Sequence, residues 1–124
     1  MGEKTKTKIL LVDDEECVRD FCTEVLGNAG YEVVSAKNGI EALEDLNKDH
    51  FNIIITDIMM PGLDGMRFYN LVIKNTPSLK DRFVFITGVP TKEVADFFLT
   101  TKAKHLFKPF LISELLKQID TLKK

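Results

Sequence analysis

Tryptophan is absent from this chain, cysteine and histidine number two each, and no apolar run approaches the roughly 20 residues that a membrane helix requires. No membrane span is therefore expected. Cys17 and Cys22 lie five apart on a predicted helix, which turns their side chains about 140° apart around the axis. Both are expected to be free thiols, with Cys22 in the core. With only His50 and His105 beside them, no Cys/His metal constellation can form, and any metal must be held by oxygen ligands. An excess of one charge is missing too: 17 basic residues face 19 acidic ones, and a net charge of −2 argues against generic nucleic-acid binding. The N-terminal MGEKTKTK has no apolar core of the kind a secretory signal carries. Residues 1–7 are thus expected to be a disordered lead-in to a domain spanning 8–124 of a cytoplasmic protein.

What is present suits one globular domain. A chain of 124 residues can bury roughly two thirds of its unfolded surface around a single core. Its 44% hydrophobic and 29% charged residues are ordinary for that class, and neither repeats nor low-complexity tracts interrupt it. The organising stretch is Phe51 to Gly65, FNIIITDIMMPGLDG, where the run Ile53, Ile54, Ile55 ends abruptly in Asp57 before a Pro-Gly turn. A short β-branched run without polar alternation suits a central parallel strand covered on both faces. Pro61, Gly62 and Gly65 punctuate the loop behind it. Asp57 would then stand at a strand's carboxyl end, where open α/β sheets bind ligands. The plainer reading is a turn-capping aspartate.

The rest of the chain repeats that grammar. Ile9 to Val12 is a strand ending in Asp13 and Asp14. Val18, Phe21, Cys22, Val25, Leu26 and Ala29 then form a helical stripe with Gly30 as its C-cap. Tyr31 to Ala36 reads as a second strand, and Ile40 to Asp49 as a helix burying Ala42, Leu43 and Leu46. Past the central stretch, Phe68, Leu71 and Val72 mark a helix broken at Pro77. Arg82 to Thr87 is a fourth strand. Val94, Phe97 and Phe98 give the next helix a narrow apolar face, with Ala95 and Leu99 partly outside it, so this helix is the least firmly anchored. Ala103 to Phe107 is a short fifth strand before Lys108-Pro109, and Ile112, Leu115, Leu116, Ile119 and Leu122 line the last helix.

Five strands alternating with five helices predict a doubly wound α/β domain with right-handed crossovers and a mostly parallel sheet. All strand carboxyl ends share one edge in such a sheet, so Asp13, Asp14, Asp57, Thr87 and Lys108 converge there. Three carboxylates within about 5 Å repel by roughly 3 kcal/mol per pair at an effective dielectric near 20. A hard divalent ion with octahedral oxygen preference, Mg²⁺ foremost, answers that charge. Lys108 and Thr87 add a mobile cation and a hydroxyl donor, a set suited to the oxygens of a phosphoryl group in transfer. No serine, cysteine or histidine stands at a strand tip. The nucleophile is therefore a carboxylate, with Asp57 favoured because it lies on the central strand.

These separated motifs resemble those of the response regulator receiver domain, the CheY-like family, from Lys8 to Leu122. Asp13-Asp14 follows strand one, Pro61 follows Asp57 by four residues and Gly65 comes after it. Thr87-Gly88 follows strand four, and Lys108-Pro109-Phe110 follows strand five, all in family order. Each motif alone is commonplace; the set is specific. The resemblance implies the sheet order 2-1-3-4-5 of the flavodoxin-like, CheY-like fold, with the site at the switch point between strands one and three. It implies that Asp57 accepts a phosphoryl group from a phosphohistidine on a histidine kinase or phosphotransfer protein, in a two-component phosphorelay. Asp14, Asp57 and the backbone carbonyl of Met59 would bind Mg²⁺, with Asp13 acting through water. Lys108 would pair with the phosphoryl group across a cis bond to Pro109, and Thr87 would bond to a phosphoryl oxygen. Gly88 suits the family's small residue beside the site.

The same resemblance implies a switch, in which that threonine and an aromatic on strand five re-pose the surface of helix four, strand five and helix five for a downstream effector. Here His105 stands where the family usually has Tyr or Phe. It either packs as an amphipathic ring or, through protonation near neutral pH, biases the switch. Met59 and Val89, the flanks of the hydrolytic water by family analogy, are apolar, which predicts slow self-dephosphorylation. Phosphorylation-dependent dimerisation through Ala95, Leu99 and Leu111 is a further expectation.

The module is read as a signalling switch that assists its own phosphoryl transfer, not as a turnover enzyme. The alternatives are an unphosphorylated receiver-like scaffold and a Mg²⁺-dependent aspartate-nucleophile phosphohydrolase. The hydrolase would want Asp-x-Asp after the first strand and a cap insertion. A flavin protein of this fold would want a Ser/Thr/Gly-rich loop where Asp-Asp-Glu-Glu stands. Both a stand-alone regulator and a receiver from a longer transcription factor or hybrid kinase fit the chain.

Overall fold

Side-chain periodicity in the strands decides the layering. Every residue of Ile53–Asp57 is buried, so neither face of that strand can meet water. Residues 6–88 and 90–122 are described by the computed structural model. Their elements follow the order β1 (Lys8–Val12), α1 (Glu16–Asn28), β2 (Glu32–Ala36), α2 (Gly39–Lys48), β3 (Ile53–Asp57) and α3 (Gly65–Asn75), then a 3-10 turn (Pro77–Leu79), β4 (Phe83–Thr87), α4 (Lys92–Thr101), β5 (Lys104–Phe107) and α5 (Ile112–Leu122). Residues 1–5 of the expected 1–7 lead-in, Val89, and the last two lysines lie outside the described residues. No described helix is long and apolar enough to cross a membrane.

The sheet has the order β2-β1-β3-β4-β5, and every pairing is parallel. Alternation along each strand feeds two separate cores. Leu10, Val12, Ile54, Phe83 and Phe85 face α2, α3 and α4, where they meet Ala42, Phe68, Tyr69, Val72, Val94 and Phe98. Ile9, Leu11, Ile53, Ile55, Val84 and Ile86 face α1 and α5, against Cys22, Leu26, Leu115 and Ile119. The first core is aromatic. Phe83 stacks on Phe85 with centroids 5.4 Å apart, and the Tyr69 ring meets both edge-on at 4.9 and 5.5 Å. The second is aliphatic, and Ile53 or Ile55, fully buried, each contributes about 2 kcal/mol by area alone.

Two helices are rotated from the orientation that their apolar spacing suggests. Phe21, expected on the buried stripe of α1, is 56% exposed. Cys22 and Leu26 point straight at the sheet, and Phe21 lies about 100° around the axis from Cys22, beyond the arc the sheet can cover. Leu71 is exposed for the same reason, being one residue from buried Val72, and Tyr69 takes the place it was expected to fill. The end of α1 also differs by one residue: Ala29 is the cap, and Gly30 follows it with φ +100°. The Gly30 amide donates to the Gly27 carbonyl at 3.0 Å and the Tyr31 amide to that of Leu26 at 3.1 Å, the paired bonds of a Schellman end. Both cysteines are free, Cys17 exposed and Cys22 buried, as their spacing implied. In α4, Val94 and Phe98 are buried, Phe97 is half-buried, and Ala95 and Leu99 face solvent.

Candidate functional site

Parallel pairing carries every strand tip to one edge. In register, Val12 stands beside Thr56, Asp57 beside Ile86, and Thr87 beside Phe107. The residues that follow β1, end β3 and β4, and follow β5 are therefore neighbours in space. Asp13 and Asp57 are 1% and 4% exposed, and Thr87 is fully buried. One oxygen from each of Asp13, Asp14, Glu15 and Asp57 lies within 4.8 Å of the others. Asp14 and Glu15 face solvent, while Asp13 and Asp57 form the floor.

Lys108 binds this cluster together. Its Nζ donates to Asp57 Oδ2 at 3.2 Å, to Asp13 Oδ2 at 3.3 Å and to Glu15 Oε1 at 3.1 Å. The backbone helps deliver it there, for the Lys108 amide donates to the Thr87 carbonyl at 2.8 Å. The peptide bond to Pro109 is cis, as the resemblance implied. The remaining carboxylate oxygens are held by main chain. Asp57 Oδ1 accepts from the Met59 amide at 3.1 Å, and Asp13 Oδ1 from the Glu15 amide at 2.9 Å. Arg19 Nη1 donates to the Asp13 carbonyl at 2.7 Å, tying α1 to the loop. Sequence reasoning missed Glu15 and Arg19 as members of this network. The acidic run 13–16 was the available signal for Glu15; nothing local pointed to Arg19.

Burial dominates the electrostatics of the floor. It pushes the Asp57 carboxyl above the usual range, against the pull of Lys108, and Asp13 adds to the rise. Burial likewise raises Asp13, with the Glu15 amide and Lys108 opposing it. For Lys108, burial disfavours the charge, but Asp57 and Asp13, followed by the bond to Glu15, outweigh it and raise its pKa. The ammonium is thus firmly charged while the acids it serves are strained by desolvation. Four hard carboxylates around one point, two open to solvent, fit an oxygen-seeking divalent ion.

Glycine shapes the loop beneath. A β-carbon on Gly65 would lie 2.4 Å from the Asp57 carbonyl oxygen and 2.8 Å from Ile58 Cα, so α3 can start directly under the site only with glycine there. The Gly65 amide donates to the Ile58 carbonyl at 2.8 Å. Gly62 has φ +77°, supplying the turn expected of Pro61-Gly62. At Gly88 a β-carbon would meet Lys108 Cβ at an ordinary 3.8 Å.

His105 is not at the edge itself. It stands opposite Phe85, two residues back from the Thr87–Phe107 pair, half-buried between Phe98 and Phe107. Met59 is 49% exposed beside Asp57. Val89, named with it as a flank of the site, lies outside the described residues.

A five-stranded parallel sheet in this order, with an acidic cluster and a lysine at its carboxyl edge, defines a receiver-type α/β domain. The family model for the response regulator receiver domain matches residues 9–120, and the chain belongs to that family. It is 34% identical over 116 residues to the response regulator receiver protein CpdR of Brucella abortus (strain 2308), covering 93% of this chain and 95% of that protein. The chemotaxis protein CheY4 of Vibrio cholerae superposes with a TM-score of 0.85 at 32% identity, over 95% of this chain and 99% of that one. TrrA from Thermotoga maritima, solved in complex with Mg(2+)-BeF, gives 0.82 at 29% identity over 95% and 99%. Some relatives are longer: the chain spans 46% of the uncharacterized transcriptional regulatory protein YrkP of Bacillus subtilis (strain 168), at 37% identity over 111 residues. This is the receiver domain of a two-component response regulator.

Proposed function

We propose that the domain is a phosphoacceptor switch in which Asp57 takes a phosphoryl group from a phosphohistidine on a histidine kinase or phosphotransfer protein. The observation that carries this reading is the reach of Lys108 Nζ to Asp57 Oδ2, 3.2 Å, within the acidic cluster. The Asp57 oxygen bonds to phosphorus as the P–N bond of the phosphohistidine breaks. The departing imidazole nitrogen keeps that electron pair while the second ring nitrogen carries the proton, so a neutral imidazole leaves and an acyl phosphate remains on Asp57. Lys108, already charged, pairs with the phosphoryl oxygens, and the Thr87 hydroxyl donates to one of them. Asp14, Asp57 and the Met59 carbonyl would hold Mg²⁺ directly and Asp13 through water; the ion would neutralise charge between carboxylates and phosphoryl group.

The output of this reading is a changed surface at α4, β5 and α5, read by an effector domain or protein in the cytoplasm or by a second copy of the domain. Leu99 and Leu111, 75% and 68% exposed, are the apolar anchors available there. Intact-mass analysis after incubation with a small acyl phosphate and Mg²⁺ tests it. One phosphoryl adduct, lost in Asp57→Asn and in a metal-free control, is the expected result. No adduct, under conditions that modify another receiver, would indicate an unphosphorylated scaffold. Consumption of the acyl phosphate without adduct would indicate a hydrolase.

A further inference from the structure

We propose that the cleft between α3 and α4 is a docking groove for a basic amphipathic helix of a partner protein. It begins with an aromatic wedge. The Tyr69 ring of α3 and the Phe97 ring of α4 meet edge-on at 5.5 Å, and Phe97 also rests on Phe85 at 5.1 Å. These rings fill the space next to the sheet and prop the two helices apart. Above them an open cleft of about 670 Å³ runs between Met66 and Asn70 on α3 and Glu93, Asp96, Phe97 and Thr100 on α4.

The cleft does not stop at the ends of the helices. Asp64, Met66 and Glu93 also border a second hollow of about 400 Å³, whose far wall is Met59, Met60 and Pro61 in the loop after β3. Met59 is the residue whose amide holds Asp57. The groove thus leads from the outer turn of α4 to the loop beside the carboxylate cluster.

Its chemistry selects the occupant. The apolar part of the lining is a narrow, adaptable strip, half-buried Met66 and Phe97 in a cleft otherwise lined by polar and charged residues, continued by half-exposed Met59 in the adjoining hollow, and methionine side chains conform to varied partners. The walls carry three acids, Asp64, Glu93 and Asp96, against one base, Arg67. Arg67 is engaged by Asp64, whose carboxylate caps its amide at 2.9 Å and lies 4.0 Å from its Nε. Asp96 pairs with Lys92 at 3.6 Å across an exposed turn, and Glu93 makes no ion pair among the described residues. A narrow apolar strip bordered by three acids, of which Glu93 is the one without an ion-pair partner among the described residues, favours a helix with one apolar seam flanked by Lys and Arg. The 10 residues of α4 run about 15 Å, enough to lie along roughly three turns of such a helix. The groove is formed in the domain as it stands, so this binding does not rest on phosphorylation of Asp57.

The test is a titration of the full ¹⁵N-labelled chain with a synthetic Leu-seam, Lys-flanked helical peptide, followed by amide shifts at low and moderate salt. Shifts centred on Met66, Asn70, Glu93 and Thr100, weakening as salt rises, are the expected result. Glu93→Lys, at an exposed position, should weaken binding about tenfold or more, and Thr100→Arg should do the same by bulk and charge. Glu24→Lys on α1 makes the same charge change elsewhere and should leave binding as it was. Shifts on another face, equal loss in Glu24→Lys, or undiminished binding by Glu93→Lys and Thr100→Arg would overturn the proposal. So would equal binding of a Leu-seam peptide carrying Glu in place of Lys, or concentration-dependent shifts of the same residues without peptide, which would make the occupant a second copy of the chain.

Discussion

The His105 ring lies on that of Phe98, centroids 3.9 Å apart and planes 5° from parallel, with its Nδ1 3.1 Å from the Ala103 carbonyl oxygen. An imidazole in this position packs as a flat ring with one polar handle. Phe107 closes the other side edge-on at 5.4 Å. Phenylalanine can reproduce the stack but not the bond to Ala103. We expect His105→Phe to stay within about 1 kcal/mol of wild type in urea denaturation, while His105→Ala loses about 2 kcal/mol with the stack. The pH profile of Asp57 modification should be shared by His105→Phe and wild type. A profile that differs between the two would instead give the imidazole a protonation role.

Burial raises the folded-state pKa of both Asp57 and Asp13, and the sign of the consequence is fixed. Acids that take up protons more readily when folded favour the native state as pH falls from neutrality through their folded pKa. Their contribution stops growing below about pH 4, where the unfolded chain is protonated as well. Asp57→Asn removes one buried charge from a crowded cluster. It should therefore be more stable than wild type by about 1 kcal/mol at pH 7, and the gap should close on acidification. Mg²⁺ should stabilise the wild type at pH 7 by about 2.7 kcal/mol at a hundredfold excess over its Kd, and the variant much less. Urea melts of the two proteins at several pH values, with and without Mg²⁺, check both statements.

Gly65 permits the approach of α3 to the back of Asp57. Because a β-carbon there would strike main-chain atoms that cannot rotate away, Gly65→Ala should cost about 3 kcal/mol and displace the loop that carries Met59. Thermal unfolding should show the loss. Mg²⁺ titration should show weakened binding even at temperatures where the variant is folded.

Met59 presents an apolar side chain, 49% exposed, beside Asp57, the proposed phosphoacceptor. A thioether cannot orient water as an amide can. The acyl phosphate on wild type should decay slowly, and Met59→Asn should speed its loss several-fold, about 1 kcal/mol of barrier. Mass-resolved decay after removal of the phosphodonor measures both. Rapid loss from wild type with no acceleration in the variant would remove Met59 from this role.

Much of this was legible in the residues themselves. Apolar runs of three or four, Ile9 to Val12, Ile53 to Ile55 and Phe83 to Ile86, leading to acids or a threonine marked three of the strands and their tips, because a strand covered on both faces tolerates few polar residues until it emerges. Alternation with helical stripes then required a parallel sheet with a single ligand edge, where Asp13, Asp14, Asp57 and Lys108 meet and where β4 ends in Thr87. Tertiary packing decided the rest. Spacing identifies an apolar arc on a helix but not how far the helix rolls on its sheet, and so Phe21 and Leu71 turned outward while Tyr69 turned in. The reach of Lys108 to three carboxylates at once, the recruitment of Glu15 and Arg19, and the cleft propped open by Tyr69 and Phe97 depend on distances between elements remote in the chain. A local pattern specifies what each segment buries; which remote side chains end up within 3 or 4 Å is set only when all the segments pack together.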